Sequence, residues 1–546
     1  MTTFIGGAWP YANGSLHIGH IAALLPGDII ARYHRQKGDD VLYVSGSDCN
    51  GTPIAIRAKQ ENKSPKEIAD YYHNEFLLCF EKLGFTYDLY TRTDTADHED
   101  SVKELFLQLY ENNMLYNKTI EQAYCEYDHQ FLPDRLVEGE CPNCGSKARG
   151  DQCDNCSAIL DPLELINKVC KLCGNEPVIR ETQHLYYKFS ELQSDLETYF
   201  KEASKKYNWR QNALAITDRY LSEGVPDRSV TRDLPIGVEV PIPGYEGKKI
   251  YVWIEAVAGY LTASKQWAAL NNRDYKDFWN PNTNSYYIHG KDNIPFHTII
   301  WPSILLGANI SSLPQYIVSS EYMTLEKRKI STSQSWAVWI SDLIDKYHPD
   351  TIRYFFTINA PETRDADFSF REFIYSHNSE LLGAFGNLVN RTFKFIEKSY
   401  DSIIPTAPVN KNIIKDINEL YTEVGKLIEA SKIKEALELI FNYVRKSNKY
   451  FDEEQPWLTF KTQKEKCDIT LVNCTFIIQN LSQLLNPFLP FSCEQLHQMM
   501  NIRNIDWAVR TPLSFKLSDV KPLYERLDVN LIEEETELLN RMVENI

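Results

Sequence analysis

The tightest constraint on this chain is residues 3–48, where a short apolar strand, a glycine-rich loop, an apolar-periodic helix and a second apolar run follow one another. Phe4 and Ile5 predict a buried strand. Gly6, Gly7, Pro10, Asn13 and Gly14 interrupt regular structure, and Ser15 offers an N-cap. Ile18, Ile21, Leu24, Leu25, Ile29 and Ile30 then recur at helical spacing. Val41 to Ser45 is a run of strand length. Together these predict a βαβ unit whose loop-to-helix junction presents backbone N–H groups and the positive end of a helix dipole, a setting that suits an anion. His17-Ile-Gly-His20 stands at that junction. No Gly-x-Gly-x-x-Gly occurs and no Gly-Lys-Ser/Thr follows a glycine, so this is neither a dinucleotide fingerprint nor a P-loop.

With 546 residues the chain is too long for one core, and two to four domains are expected. Residues 66–82 read as an amphipathic helix with Ile68, Tyr71, Phe76, Leu77 and Phe80 on its apolar side, and Leu105 to Leu115 as another. Between residues 115 and 229, glycines, cysteines and polar turns replace the helix–strand rhythm, which marks an insertion. From Lys249 the segments IYVWIEAVAGY, SYYIHGKD and QYIVSSEYMTL read as strands that complete the parallel sheet begun by the first half. From about residue 375 the pattern is helical, through Ile417, Leu420, Tyr421, Val424, Leu427 and Ile428, then Leu437, Ile440 and Val444, then Phe476, Ile477 and Leu481. The net charge of −17 excludes a uniformly basic coat, but a local basic face stays open. The apolar run near Trp301 is short and contains Pro302, so no membrane span is expected. The N-terminus lacks a basic leader followed by an apolar stretch and a cleavage site, so a cytoplasmic location is expected.

Six of the twelve cysteines form three Cys-x-x-Cys pairs. In a chain without an export signal this clustering argues for metal over disulfides. Cys141-x-x-Cys144 and Cys153-x-x-Cys156 have zinc-knuckle form, a closed thiolate site that serves structure. Cys170-x-x-Cys173 needs two more ligands. Cys125 could join it with Asp128 or His129: imidazole is the better zinc ligand, while x-x spacing favours Asp128. One zinc is expected, and a second site stays open.

Lys329-Ile-Ser-Thr-Ser333 follows a strand-like segment. Alone, a lysine with hydroxyls on a loop reads as solvated surface. The run PYANGSLHIGH, with this loop after it, resembles the HIGH and KMSKS motifs of class I aminoacyl-tRNA synthetases, and the PYANG lead-in resembles the methionyl-tRNA synthetase family. The resemblance covers nearly the whole chain. It implies an α/β Rossmann-type parallel sheet split by a zinc-knuckle connective insertion and followed by an α-helical bundle. The expected domains are residues 1–114 with 230–320 (catalytic), 115–229 (insertion), 321–378 (KMSKS-like loop and linking segment) and 379–546 (anticodon binding).

The same resemblance implies ATP-dependent activation of L-methionine to the adenylate and its transfer to the 3′ end of tRNA(Met). His17, His20 and Lys329 would be catalytic, with Mg²⁺ shared among the phosphates. Gly19, Gly290, Asp292, Lys329, Ser331, Thr332 and Ser333 would bind ATP, and Asp292 would face the ribose. Thr332 stands where the family usually has a second lysine, and the adjacent Lys327 and Arg328 are the candidates to supply its charge. Asp48 in SGSDCNGTP would receive the substrate ammonium. Ala8, Trp9, Tyr11, Trp253, Ala256, Val257, Tyr260 and His297 would line the methionine pocket, whose thioether calls for an apolar, aromatic, polarisable wall. Trp9, Val257 and Asn293 depart from residues found in many members. Arg232 would face the substrate carboxylate or phosphate. Asn387, Arg391 and Trp457 match anticodon-reading residues, which suits bases read by stacking and edge hydrogen bonds. The chain carries no added C-terminal module, so a monomer is expected. Two enzymatic and non-enzymatic rivals are a ligase for a branched aliphatic amino acid, for which the insertion is too short, and a non-charging paralogue that binds tRNA, to which only Thr332 points.

Overall fold

A computed structural model describes residues 1–132, 136–150, 153, 155–156, 160–234, 236–510 and 515–544, apart from the side chains of Thr52, Ser333, Val543 and Glu544. Its centre is a five-stranded parallel sheet. In spatial order the strands are Tyr316–Ser320, Asn284–Gly290, Thr2–Gly7, Asp40–Ser47 and Leu89–Arg92. Every neighbouring pair is parallel. The N-terminal strand is therefore central. The chain leaves it toward one edge and returns on its other side only at residue 284, after the insertion. This reversal of strand order opens a crevice beyond the carboxyl ends of Thr2–Gly7 and Asn284–Gly290, where ligands of such sheets bind.

Period-two alternation sends successive side chains into two cores. Ile5, Tyr43, Tyr286 and Ile288 join the core that contains the first helix and the C-terminal bundle. Phe4, Leu42, Val44 and Tyr287 join a second core with the helix Val252–Asn271. A strand had been expected in that helix, because Ile250, Val252 and Ile254 are β-branched and the run is apolar on all sides. The helix prevails because it is buried all round, with Ile254, Val257, Ala258, Leu261 and Ser264 among its buried residues.

The insertion builds a four-stranded sheet around Leu115–Cys125 and Val178–Tyr187, and a small three-stranded sheet of Val137–Glu140, Lys147–Arg149 and Ile166–Cys170. In the expected helix over 66–82, Pro65–Lys82 forms, but its buried face runs through Ile68, Ala69, Tyr72, Phe76, Cys79 and Phe80. Tyr71 and Leu77 lie outside it and are exposed. The C-terminal part is helical through Lys411–Glu429, Ile433–Glu454 and Lys464–Leu484. The last of these is buried almost along its whole length, from Thr470 to Leu484.

The first helix, Ile18–Lys37, joins the sheet to the bundle. Tyr33 donates to Glu429 at 2.8 Å, and Gln36 donates to the Gln483 carbonyl at 2.9 Å. Midway along it, Asp28 pairs with Arg353 at 2.7 Å with both side chains wholly buried. The Arg353 guanidinium also donates to the carbonyls of Leu83, Pro487 and Phe488. A buried ion pair holds only when its remaining hydrogen bonds are met, and here they are.

Candidate functional site

The first helix begins at Ile18, two residues later than a Ser15 cap would place it, because two imidazoles cap it instead. Ser15 donates to Glu75. His17 Nδ1 accepts from the Gly19 N–H at 3.1 Å, and His20 Nδ1 accepts from the His17 N–H at 3.1 Å. This is a reciprocal capping box built from histidines. The rings lie 4.0 Å apart. Because each Nδ1 accepts, each ring carries its proton on Nε2. Burial, and for His17 the neighbouring His20, pushes the His17 pKa well down, and burial brings His20 to about 4. The pair is a set of neutral donors beside the free N–H groups of a helix start. Gly19 is required, since a Cβ there would meet the His17 ring at 2.9 Å.

The second loop reaches this helix through backbone pairing. Ile18 N–H donates to the Val338 carbonyl at 3.1 Å, and Ile340 N–H donates to Leu16 at 2.9 Å. Ahead of it, Met323–Leu325 and Arg328–Lys329 form a hairpin turned at Glu326 and Lys327, both with positive φ. Ser331 and Trp336 exchange backbone hydrogen bonds, which closes the loop. Lys329, Ser331 and Thr332 line a cleft of about 1520 Å³ together with His17, Gly19, His20, Asp48, Gly290 and Asp292. The side chain of Ser333 lies outside the described part. Lys327 and Arg328 do not line the cleft, and Arg328 instead stacks on Trp336 at 4.1 Å.

Ala8, Trp9, Tyr11, Trp253, Ala256, Val257, Tyr260 and His297 line the same cleft. Trp253, Ala256, Val257 and Tyr260 share one face of the helix Val252–Asn271. Trp253 stacks on Phe296 at 4.1 Å and 7°, an aromatic that the sequence reading left out although it adjoins His297. The Tyr260 hydroxyl bonds His297 Nε2 at 2.7 Å, and His297 Nδ1 bonds the Asn293 carbonyl at 2.8 Å. Asn293 thus acts through its backbone, which tolerates its departure from other members. The larger Trp9 fits because Gly46 and Gly259 leave it room: a Cβ at either would come within 2.3 and 2.8 Å of its ring.

Asp48 is buried. Its Oδ1 accepts from the Asn50 N–H at 3.1 Å and from the Thr93 hydroxyl at 3.4 Å. Burial, reinforced by the nearby Glu255 carboxylate, raises its pKa well above the usual carboxylate range. On the far wall, no atom lies within 4 Å of where a Gly290 Cβ would stand. Asp292 accepts from the Tyr322 hydroxyl. Lys291 lies 3.7 Å over the Tyr322 ring and pairs with Glu321 at 2.7 Å. Arg232 departs from expectation. Its guanidinium stacks on Tyr251 at 3.9 Å and donates to the Ser229 and Thr231 carbonyls, and it does not line the cleft.

Two donor clusters stand in the insertion, each with ligand atoms within 4.8 Å of one another: Cys141, Cys144, Cys153 and Cys156, and Cys125, Asp128, Cys170 and Cys173. The second contains Asp128, as the x-x spacing suggested, and not His129, whose φ of 51° turns the chain just after it. Four thiolates fit a tetrahedral structural zinc, and three thiolates with a carboxylate use accepted zinc donors as well. In the bundle, Asn387 donates to Asn448 at 3.1 Å, and Arg391 pairs with Asp452 at 2.6 Å. Arg391 also lies 4.6 Å over Phe451 and 5.6 Å over Trp457. Trp457 is 41% exposed, and the helix Asn387–Ser399, with its amide and cation, meets this open indole on the helix Pro456–Thr462.

Comparison with known proteins agrees with this arrangement. A family model described as "tRNA synthetases class I (M)" matches residues 3–393. One described as "Anticodon binding domain of methionyl tRNA ligase" matches residues 404–521. The chain is 62% identical over 535 residues to a methionine–tRNA ligase of Streptococcus pneumoniae (strain CGSP14), covering 98% of each. It is 58% identical over 539 residues to one of Bacillus cereus (strain G9842), covering 99% of each. Among solved structures, a Mycobacterium tuberculosis methionyl-tRNA synthetase bound by methionyl-adenylate shares the fold with a TM-score of 0.79 at 22% identity, over 96% of this chain and 100% of that one.

Proposed function

Because the chain belongs to the methionyl-tRNA synthetases of class I, a family of methionine–tRNA ligases, we propose how its cleft performs that ligation. The methionine ammonium sits on Asp48. The side chain lies against Trp253, Phe296, Ala256 and Val257, with the thioether toward the Tyr260–His297 hydrogen bond. The methionine carboxylate attacks the α-phosphorus of ATP, the bond to the bridging oxygen breaks, and pyrophosphate leaves with its electron pair. The Nε2–H groups of His17 and His20, the Lys329 ammonium and the Ser331 and Thr332 hydroxyls hold the charge that builds on the phosphate oxygens. Asp292 and the open wall at Gly290 receive the nucleoside. Mg²⁺ accompanying ATP would supply further charge neutralisation. A hydroxyl of the terminal adenosine of tRNA(Met) then attacks the adenylate carbonyl, and AMP leaves.

In this reading residues 1–114 and 230–320 form the catalytic domain, 115–229 the zinc-bearing insertion, 321–378 the loop and linking segment, and 379–546 the anticodon domain. Cys141, Cys144, Cys153 and Cys156 hold one zinc, and Cys125, Asp128, Cys170 and Cys173 hold a second. Both would be structural. Asn387, Arg391 and Trp457 meet the anticodon. The protein works as a cytoplasmic monomer, and among the described residues no helix is long and apolar enough to cross a membrane.

The observation that supports this reading best is the pairing of Leu16–Ile18 with Val338–Ile340, beside a cleft that His17, His20, Lys329 and Asp48 all line. ATP–pyrophosphate exchange tests it. Exchange should depend on methionine, fail with leucine, isoleucine or valine, and collapse in His20→Ala. Exchange indifferent to methionine, or unaltered by His20→Ala, would sink it.

A further inference from the structure

A second carboxylate stands behind the methionine pocket. Glu255 lies on the same helix as Trp253, Ala256, Val257 and Tyr260, yet it is wholly buried and does not line the cleft. Its Oε1 accepts from the Asn50 side-chain amide at 2.8 Å and meets His98 Nε2 at 3.1 Å. Its Oε2 has no hydrogen-bond partner among the described residues. A buried carboxylate oxygen without a partner is costly, so a position that keeps one calls for a reason. His98 is held from behind by Thr262, at 2.8 Å from its Nδ1.

Asn50 ties this pair to the substrate carboxylate. Its backbone N–H donates to Asp48 Oδ1 at 3.1 Å, while its amide reaches Glu255 at 2.8 Å and the Thr93 carbonyl at 3.2 Å. One residue thus orients both acids. The charged and titratable groups around them come from four elements. The turn after Asp40–Ser47 supplies Asp48 and Cys49. The segment after Leu89–Arg92 supplies Asp94, with Arg92 bound to it. The helix Ala96–Glu111 supplies His98, and the helix Val252–Asn271 supplies Glu255. Arg92 is committed to Asp94 and Asp70, and Arg57, which with Arg149 lines the same cleft, pairs with Glu61.

We infer that Glu255 is a positioning residue for methionine: through Asn50 it sets the Asp48 carboxylate, and the two buried acids together make the arriving ammonium displace a proton. Burial and the neighbouring Glu255 both raise the proton affinity of Asp48, which favours its neutral form before methionine arrives. Binding then converts a neutral carboxyl and a free ammonium into a carboxylate–ammonium pair, and the carboxyl proton goes to solvent. The ammonium is the cation that the protein withholds. This inference rests on Asp48 receiving the ammonium, as proposed above.

The test uses the full chain in three forms: wild type, Glu255→Gln and Asp48→Asn. Methionine titrations of the wild type by calorimetry, in two buffers of different ionisation enthalpy, should show proton release below the Asp48 titration and none above it. Glu255→Gln should raise the methionine KM roughly tenfold while kcat and the ATP KM change by no more than about twofold. Its KM-against-pH curve should shift to lower pH, a change that a purely structural role would not produce. Wild-type binding without proton release at any pH overturns the inference even if Glu255→Gln folds poorly. An unchanged methionine KM and pH curve in Glu255→Gln overturns it as well. Asp48→Asn separates the two levels: if it leaves the methionine KM unchanged, the reading of Asp48 falls with the inference, whereas a raised KM there beside an unaltered Glu255→Gln overturns the inference alone.

Discussion

Asp28 and Asp48 are equally buried, and the protein treats them in opposite ways. Asp28, at the seam between sheet and bundle, receives Arg32 at 2.9 Å, Arg353 at 2.7 Å, and both the N–H and the hydroxyl of Thr86 at 2.7 Å. Burial alone would raise its pKa, but Arg32, Arg353 and Thr86 together hold it below the usual carboxylate range. Asp48 receives one backbone N–H and a long hydroxyl contact, and the charged group that acts on it is another acid, Glu255. The seam is complete without a ligand. The pocket acid is left with fewer partners, and in the proposed reading the substrate's ammonium supplies the missing charge. A buried acid that the fold itself satisfies serves structure, while one it leaves unsatisfied beside a cleft serves binding.

The largest effect that could break this comparison lies at the seam. Arg353→Met strands Asp28 as a buried, half-paired charge and should destabilise the fold by about 3–5 kcal/mol, read as a lowered denaturation midpoint. A near-neutral result would mean that Arg32 alone suffices. Within the pocket, His17→Ala or His20→Ala should slow adenylate formation roughly 10²–10³-fold in single-turnover assays, because Thr332 leaves the opposite loop with one cation fewer. A mild loss would argue against that burden.

The two acids also respond oppositely to pH. The Asp28 pKa is lowered by folding, so its contribution is present above the unfolded value near pH ~4 and fades as pH falls through the folded one. The Asp48 pKa is raised, so its ionisation costs stability, and that cost grows as pH rises from the unfolded value to the folded one. Asp48→Asn removes the cost. It should raise the thermal midpoint at neutral pH by an amount worth about 1 kcal/mol while weakening methionine binding, and a lowered midpoint would contradict the contrast. Smallest of all, Thr332→Lys should speed adenylate formation by about threefold to tenfold and soften the His20→Ala defect. An unchanged rate would place residue 332 outside the phosphate field.

Several parts of this contrast could be read from residues alone. Asp48, His17, His20 and Lys329 carry their meaning in short motifs, and all four line one cleft. The strands of the split sheet follow from apolar runs, and four cysteines cluster as their spacing indicated. Glu255 could not be found this way. An acid inside an apolar stretch reads equally well as exposed when the stretch is taken for a strand, and its partners Asn50 and His98 are remote in sequence. Arg232 misled for the converse reason: an arginine in a motif-like run reads as ligand-facing, but nearby carbonyls and Tyr251 satisfy it.

By itself the sequence determined the elements whose physics is local: the glycine-rich loop opening onto a helix, the thiolate pairs, the alternating strands and the amphipathic helices. Hydrogen-bonding partners and periodicity within a few residues decide those. Tertiary structure decided what depends on distant segments meeting. It brought Val338–Ile340 to Leu16–Ile18, set Trp9 against Gly46 and Gly259, and closed Glu255 over Asn50. It also decided which buried acid is satisfied and which is not, because the charge state of a carboxylate follows from what surrounds it in space and not from what adjoins it in the chain.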